Sequence, residues 1–372
     1  MDIERFEMER YQSLHWHRVE YDLSESGVLP MTIRDLLGPE ADAEAFVATK
    51  LGYPLSEGSE ETRANIATWY PGATIDQVTV VNGGSEANLL TLWALLGPRD
   101  ELAYMLPNYL QGRGVGRAFG RTVRTFGLKE RDGRWALDLD RLHDAVDHRT
   151  RAIMVCNPNN PTGAVLTDAE MDAIVVEADR VRAWIIADEI YRGAEIAGEV
   201  ATPSFWGRYD RVAITSGLSK AFAMPGLRIG WVVAPRELIK KVWVRHDYTT
   251  LTPGALSDAL AGFAMQPVVR QNILARTRGI VRANLPHLET WLGSHGERFR
   301  WVRPQAGAIE YAKYELPIRS ADLVERIREE ASVLLVPGSM FGLKRGLRFG
   351  FGYDIEHTMK GLARVDDVLA TL

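Results

Sequence analysis

The sequence predicts an α/β fold, in which a large domain with a mostly parallel central sheet is joined to a smaller α+β domain. Three observations predict this fold. Short apolar runs alternate with segments of helical spacing up to about residue 250. The pattern of helices and strands changes after that point. A chain of 372 residues, 46% hydrophobic and 25% charged, is also typical of a soluble protein with room for two cores.

The predicted strands of the large domain are short and rich in apolar and β-branched residues. They comprise residues 77–82, 101–106, 121–126, 151–156, 183–188, 211–216 and 228–233. Helical spacing occurs between several of them, as in residues 86–96 and 167–182, and Thr167 with Glu170 forms a capping box at the second helix. Strands that alternate with helices favour a parallel sheet covered on both faces.

The remainder of the chain predicts the smaller domain. A long helical stretch, residues 255–293, precedes short strands in "FRWVRPQAGAIEYAKYE", a helix from Ala321, and the apolar runs "SVLLVPG" and "GLRFGFG". We therefore predict a large domain over residues 33–254 and a small domain formed by residues 1–32 together with 255–372.

Charge and composition exclude several classes of function. A net charge of −5 without a basic run gives no footprint for nucleic acid or an anionic membrane. The charged N-terminus and the lack of a long apolar stretch predict neither a signal peptide nor a membrane span. The single cysteine, Cys156, lies in an apolar run and is expected to be a buried thiol in a cytoplasmic protein. The two histidines of "HWH" lack a third ligand at metal spacing, so no metal site is expected.

Polar residues follow the predicted strands at the edge where open α/β sheets bind ligands. The turn "GGSEAN" offers backbone N–H groups and a helix N-terminus to an anion such as phosphate. The turn "NPNNPTG" presents Asn160, the run "DEIY" follows Asp188, and "SGLSK" leads to Lys220. Each feature alone is more typical of a tight turn, a solvated acid or a surface lysine, and it is their convergence at successive strand ends that indicates a site.

Lys220 and Arg228 lie in the mostly apolar run "SGLSKAFAMPGLRIGW", with no carboxylate close in sequence to pair either cation. These groups suit pyridoxal phosphate, whose aldehyde forms a Schiff base with a lysine and whose ring nitrogen is held protonated by a carboxylate. We therefore expect that Lys220 needs no acidic partner and that Arg228 pairs with the cofactor phosphate.

Seven motifs carry a resemblance to a known family. They are "YPLSEG", "GGSEAN", "PNY", "NPNNPTG", "DEIY", "SKAFAMPGLRIG" and "LRFGFG". In order and spacing they resemble the fold-type I pyridoxal-phosphate enzymes of the class I/II aminotransferase family, over nearly the whole chain.

The resemblance implies roles for the residues of the cofactor site. Lys220 would form the Schiff base and then move the Cα proton as general base, Asp188 would pair with the pyridinium, and Tyr109 would stack on the ring. Asn160 and Tyr191 would bind the ring oxygen, and Gly84, Ser85 and Arg228 the phosphate. Tyr53 would reach into the site of a partner subunit, which implies a homodimer with shared active sites.

The substrate side is predicted less completely. Arg348 in "LRFGFG" would bind the substrate α-carboxylate, with Asn160 as a further substrate-binding residue. An arginine on an apolar strand is also costly to bury without such an anion. Glu25 and Glu57 lie in segments that line the family's pocket, where they would read a cationic side chain or remain solvated loop acids. Relatives often carry a hydroxyl where this chain has Gly217, and Ser216 or Ser219 could replace it as a phosphate ligand.

The resemblance implies an aminotransferase that acts on an L-amino acid through the Lys220 Schiff base and a quinonoid intermediate. The alternative is elimination, replacement or cyclisation, because "SESGV" and "LSKAFAMPGLRIGW" are similar to capreomycidine synthase and related arginine-derived cyclases. A sensor domain of a transcription regulator would carry a DNA-binding domain ahead of this fold, and the first cofactor-domain motif begins near residue 24. We therefore expect an enzyme whose partner is a small amino-acid substrate.

Overall fold

The computed structural model describes residues 2–38 and 43–372, and the elements below are those of the described residues. The strands are β1 Tyr21–Asp22, β2 Val78–Val81, β3 Glu101–Leu106, β4 Thr122–Arg131, β5 Arg134–Leu137, β6 Thr150–Cys156, β7 Trp184–Asp188, β8 Val212–Gly217, β9 Gly230–Val233, β10 Phe299–Trp301, β11 Ile309–Tyr314, β12 Val333–Leu334, β13 Val336–Pro337 and β14 Leu347–Gly350. The helices are α1 Glu7–His15, α2 Ile33–Leu37, α3 Ala43–Val47, α4 Glu60–Ala67, α5 Gly84–Leu95, α6 Gln111–Phe119, α7 Leu139–Ala145, α8 Asp168–Val181, α9 Arg236–His246, α10 Ala255–Ala264, α11 Pro267–Ser294, α12 Ser320–Ala331 and α13 Ile355–Leu369.

The central sheet has eight strands in the order β2-β9-β8-β7-β6-β3-β4-β5. Strands β8, β7, β6, β3 and β4 are mutually parallel, whereas β9 runs antiparallel to both its neighbours and β5 is antiparallel to β4. All seven strands predicted from the sequence are present. Cys156 pairs with Asp188, and Asp188 pairs with Thr215, so the carboxyl ends of β6, β7 and β8 lie at one edge of the sheet.

The hairpin between β4 and β5 was missed by the sequence prediction, which ended this strand at residue 126. Asp132 and Gly133 form the turn with φ values of 51° and 74°. Asp-Gly is the dipeptide that two-residue hairpins with positive φ at both positions favour. The signal was therefore present in "ERDGRW", and it extends β4 to Arg131.

Helices cover both faces of the central sheet. Buried residues of α4, α7, α8 and α10 share one apolar cluster with the sheet, and buried residues of α5, α6 and α9 form a second cluster on the opposite face. The strands between them are buried on both faces, as in β6 and β7, which explains their continuous apolar runs. The capping box of Thr167 and Glu170 begins α8 as predicted.

A second, antiparallel sheet has the order β10-β11-β14-β13, and β1 pairs with β12 separately. Its core also takes residues of α11, α12 and α13, together with Leu23 and Val28. The long helical stretch expected at 255–293 is two helices, because Pro267 opens a new helix after residues 265–266. Helix α11 joins the two cores, since Ile273 packs with the large sheet and Leu285 with the small one.

The predicted domain limits, 33–254 against 1–32 with 255–372, stay a prediction, and residues 1 and 39–42 lie outside the described residues. None of the helices in the described part of the chain combines the length and apolar character that crossing a bilayer requires.

Candidate active site

The turn between β2 and α5 forms the anion-binding end of the site. Helix α5 begins at Gly84, so the first backbone N–H groups of the helix, at Gly84 and Ser85, have no acceptor within the helix. Gly83 adopts a φ of 96°, and a side chain there would collide with the guanidinium of Arg228. Arg228 and the start of α5 therefore border one small cradle, as the sequence predicted for a phosphate.

The hydrogen bonds around Arg228 show which of the two serines near Lys220 directs its hydroxyl towards this cradle. Arg228 Nη1 donates to the Pro225 carbonyl oxygen at 3.0 Å and lies 3.5 Å from Ser219 Oγ. Ser216 Oγ donates instead to the Glu189 carbonyl oxygen at 3.2 Å and is buried away from the cradle. Of the two serines proposed to compensate for Gly217, Ser219 is the one beside Arg228.

Steric contacts explain why position 217 is a glycine. A Cβ atom at this position would lie 2.7 Å from the Ile229 carbonyl oxygen and 3.0 Å from Gly230 Cα. Strands β8 and β9 are antiparallel neighbours at this point, with Gly217 opposite Gly230. The close approach of two glycines brings β9, and Arg228 just before it, next to the start of α5.

Asp188 ends β7 and is buried at the floor of the site. Its Oδ2 accepts from Asn88 Nδ2 at 2.9 Å, and its Oδ1 accepts from the Ile190 N–H at 3.1 Å. Burial raises the pKa of Asp188 to about 6, although both hydrogen bonds lower it. A buried carboxylate of this kind is suited to a cationic partner, such as a protonated ring nitrogen.

Asn88 orients Asp188 and was not predicted. Asn88 Oδ1 accepts from Thr215 Oγ1 at 2.6 Å while its Nδ2 donates to Asp188. The amide is therefore fixed in one orientation by strand β8. The sequence signal was the position of Asn88 on α5, one helical turn after Gly84 and Ser85.

Arg348 lies on β14 with 1% of its surface exposed. Its Nη1 donates to Asn160 Oδ1 at 3.1 Å, and its Nη2 donates to the Ser24 carbonyl oxygen. Its Nε is buried without a hydrogen-bond acceptor among the described residues. Burial lowers the pKa of Arg348, so an anion supplied by a ligand would satisfy both the free donor and the charge.

Lys220 lies at the centre of the site, where its Nζ donates to Glu25 Oε1 at 2.6 Å. The expectation that Lys220 needs no acidic partner is therefore wrong for the free side chain. Its partner comes from 195 positions earlier in the chain, so local sequence could not reveal it. Burial alone raises the pKa of Glu25, and the nearby Lys220 ammonium and the Gly27 N–H lower it more strongly, to about 2.

The glycines of "LRFGFG" explain how Glu25 reaches Lys220. A Cβ at Gly350 would collide with the Glu25 carbonyl oxygen, and one at Gly352 with the Gly27 carbonyl oxygen. The segment around Glu25 therefore lies directly on the end of β14, and the Gly350 N–H donates to the Leu23 carbonyl oxygen at 2.8 Å. Glu25 is thus held in the site and is not a solvated loop acid.

Two tyrosines complete the walls. Tyr191 is buried, and its hydroxyl donates to Ser26 Oγ at 3.0 Å. Tyr109 is half-buried, and its hydroxyl donates to Glu9 Oε1 at 2.7 Å. Burial and the neighbouring Glu9 carboxylate raise the pKa of the Tyr109 hydroxyl well above its usual value. Helix α1, which carries Glu9, is therefore part of the site, although no motif had indicated this helix.

Two predicted residues are not brought into the site within one chain. Tyr53 is 88% exposed, as a residue directed at a second subunit would be. Glu57 lies 3.9 Å from Arg63 Nη2, measured from its Oε1, and that contact accounts for its charge.

The residues present fit pyridoxal phosphate. The free N–H groups of α5 and Arg228 form a cradle with no room for a side chain at Gly83. Asp188 is a buried acid whose neighbours are hydrogen-bond donors without charge, and Lys220 lies on the next strand end. The donor set therefore supplies a phosphate site, a partner for a protonated ring nitrogen and an amine for the aldehyde.

Comparison with known proteins supports the resemblance. The family described as "Aminotransferase class I and II" matches residues 27–365. Capreomycidine synthase from Streptomyces vinaceus is 29% identical over 96% of this chain and 92% of its own length. An aspartate aminotransferase from Streptomyces avermitilis is 27% identical over 79% of this chain and 74% of its own.

Solved structures give the same two kinds of relative. A PLP-dependent aminotransferase from Streptococcus suis superposes with a TM-score of 0.92 and 30% identity, over 100% of this chain and 99% of the other. The PLP-dependent cyclase OrfR superposes with a TM-score of 0.88 and 30% identity, over 100% and 98%. Structures described as an aminotransferase and as a cyclase thus share this whole fold.

Proposed function

This chain belongs to the class I and II aminotransferase family, with pyridoxal 5'-phosphate as cofactor, and from that premise we propose that it is an aminotransferase of L-amino acids with a cationic side chain. The observation that supports the substrate class is the Glu25 carboxylate, held 2.6 Å from Lys220 Nζ and one residue after Ser24, whose carbonyl oxygen accepts from Arg348. An acidic side chain would be repelled by Glu25, whereas a cationic one would be attracted.

Each residue has a defined task in this proposal. Arg348 binds the substrate α-carboxylate, with Asn160 and the Ser24 carbonyl holding the guanidinium in place. Asp188 holds a proton on the ring nitrogen, and Asn88 orients that carboxylate. When bound, pyridoxal phosphate withdraws electrons from the substrate Cα.

Lys220 is the proposed base that removes the Cα proton, and Glu25 positions its amine through the hydrogen bond at 2.6 Å. Glu9 ties helix α1 to Tyr109, and in this proposal the two cover the bound substrate and exclude water from the reacting atoms. Ser219 joins Gly84, Ser85 and Arg228 as the phosphate site.

A second candidate reaction is elimination followed by cyclisation, and Glu25 is also the observation that favours it. An aminotransferase must bind an amino donor and a keto-acid acceptor in turn at the same site, so an acidic acceptor would meet the Glu25 carboxylate. A cyclase binds one substrate and avoids this conflict. The likeness to capreomycidine synthase over 96% of the chain supports this alternative.

A single-turnover experiment distinguishes the two reactions. The holoenzyme is mixed with L-arginine, hydroxylated arginines, L-lysine or L-aspartate, without a keto acid, and the absorbance of the cofactor is followed. Transamination predicts stoichiometric conversion of the cofactor to its amine form, which a keto acid reverses. Unaided return of the original spectrum, with release of a leaving group, supports elimination or cyclisation. Preference for L-aspartate over every cationic amino acid would disprove the proposed substrate class.

We also propose a homodimer in which Tyr53 completes the phosphate site of the partner subunit. Tyr53 belongs to an exposed run that includes Val47, Leu51 and Leu55, more apolar surface than a monomer usually leaves in one segment. Sedimentation of the holoenzyme tests the oligomeric state, and Tyr53→Phe is expected to weaken cofactor binding. A monomer with full activity would contradict the proposal. The cytoplasmic location stays a prediction.

A further inference from the structure

Helix α1 presents two polar side chains to the site. Glu9 and Gln12 are three residues apart and therefore lie on one face of the helix. Gln12 is buried and its Nε2 donates to the Ser24 carbonyl oxygen at 3.1 Å and to Ser24 Oγ at 3.0 Å. The same Ser24 carbonyl accepts from Arg348. Gln12 thus fixes α1 against the backbone that holds the proposed carboxylate clamp.

Glu9 extends from this face towards the ring of Tyr109. Its Oε1 accepts from the Tyr109 hydroxyl at 2.7 Å, and the Phe6 ring packs edge-on against Tyr109 at 4.9 Å between centroids. Burial lowers the pKa of Arg348, and the Tyr191, Glu25, Glu9 and Asp22 side chains oppose that change. Glu9 and Glu25 therefore belong to two segments that meet at Ser24, whose carbonyl oxygen also accepts from Arg348.

The charges of the site are unbalanced once a substrate binds. Arg348 is neutralised by the substrate α-carboxylate at its free Nε, and Lys220 is either joined to the cofactor or a neutral amine that acts as the proposed base. Glu9 and Glu25 then remain as carboxylates on the two segments that meet at Ser24, and Glu9 accepts from the Tyr109 hydroxyl. A positive charge on the substrate side chain would restore the balance, and its absence would leave both carboxylates without a cation.

We propose that Glu9 is a specificity-determining residue, whose carboxylate binds the cationic end of the substrate side chain together with Glu25. This inference rests on the proposed function, because it assumes a substrate held by Arg348. A planar guanidinium, which offers donors in two directions, is the group that two flanking carboxylates bind best. The simpler alternative is that Glu9 only fastens helix α1 to Tyr109.

The test compares L-arginine with L-citrulline, which has nearly the same shape and no charge. We expect Glu9→Gln to weaken the binding of L-arginine about tenfold and to leave the binding of L-citrulline nearly unchanged. Binding is measured as KM and as the dissociation constant obtained from the absorbance of the cofactor. Glu9→Asp should recover part of the preference. Glu7→Gln is the matched control, because Glu7 is an exposed carboxylate on the same helix.

Each other outcome has a defined meaning. Equal weakening of both amino acids by Glu9→Gln would show that Glu9 only fastens the helix, and unchanged constants would show that it does not contact the substrate. Either result overturns this inference and leaves the proposed function standing. A wild-type enzyme that does not favour L-arginine over L-citrulline would disprove the proposed substrate class, and this inference with it.

Discussion

The two sides of the site are built differently. The cofactor side, from Gly84 to Arg228, is formed by successive strand ends and one helix N-terminus of the central sheet. The substrate side joins distant segments, because Glu9 contacts Tyr109 across 100 positions, and Arg348 contacts Asn160 across 188. A PLP-dependent aminotransferase and a PLP-dependent cyclase both share this fold, so we expect the difference between the two reactions to lie mainly on the substrate side.

Lys220 is where the two sides meet, so its removal is expected to have the largest effect. Lys220→Ala removes both the covalent anchor and the proposed base, and turnover should fall by at least about 10⁴-fold. Steady-state assays with the best amino acid of the panel measure this loss. Activity close to wild type would contradict the assignment of the whole site.

The same variant also tests the Glu25 contact, because it leaves a largely buried carboxylate without its cation. In cofactor-free protein, we expect Lys220→Ala to lower Tm by about 2–4 °C. The double variant Lys220→Ala with Glu25→Gln should recover most of that loss. An unchanged Tm in the single variant would mean that Glu25 finds another partner in solution.

Asp188 tests the cofactor side alone. Asp188→Asn keeps the shape and removes the charge, so turnover should fall by about 10³-fold while the KM for the amino acid changes little. Because burial raises the pKa of Asp188 to about 6, cofactor binding to the wild type should weaken as the pH falls below that value. Titrations of apoenzyme with pyridoxal phosphate from pH 5 to 8 should show this dependence in the wild type and not in Asp188→Asn.

Arg348 tests the substrate side alone. Arg348→Ala should raise the KM for the amino acid by about 10²-fold, since a bidentate contact to the α-carboxylate is lost, and should leave cofactor binding unchanged. Arg345→Ala is the control, because Arg345 is exposed just before β14 and accepts from the Tyr311 hydroxyl through its backbone carbonyl, which the substitution keeps. An unchanged KM in Arg348→Ala would indicate that Arg348 is a structural residue.

Substitution of Ser219 tests which hydroxyl belongs to the phosphate site. Ser219→Ala should weaken pyridoxal phosphate binding by about tenfold, because a hydroxyl beside Arg228 is lost. Ser216→Ala is the matched control, since its hydroxyl bonds to Glu189 and is directed away from the cradle. Equal dissociation constants for the two variants would show that neither serine replaces the hydroxyl missing at Gly217.

The same contrast explains what the sequence could predict. The strands and the positions of the proposed cofactor residues were predictable because each polar residue follows an apolar run within a few positions, and Asp188 is the last residue of β7. Glu9 gave no such signal, since its partner Tyr109 belongs to another element and α1 has an ordinary amphipathic pattern. The sequence indicated Glu25 either as a residue that binds a cationic side chain or as a solvated loop acid. Only the three-dimensional contact with Lys220 argues against the solvated acid.

Glu310 provides the smallest expected effect on activity, because it is a buried acid beside the substrate side that does not face the site. It lies on β11 opposite Phe349, both its carboxyl oxygens lack partners among the described residues, and burial raises its pKa well above the usual value. The folded protein therefore holds this proton more tightly than the unfolded chain, so stability falls as the pH rises above about 4.5. Glu310→Gln removes that dependence, and we expect a Tm about 2 °C above the wild type at pH 8, a similar Tm at pH 4.5, and unchanged KM values. A change in substrate preference in this variant would mean that the substrate side extends through β11, beyond the residues that contact Arg348.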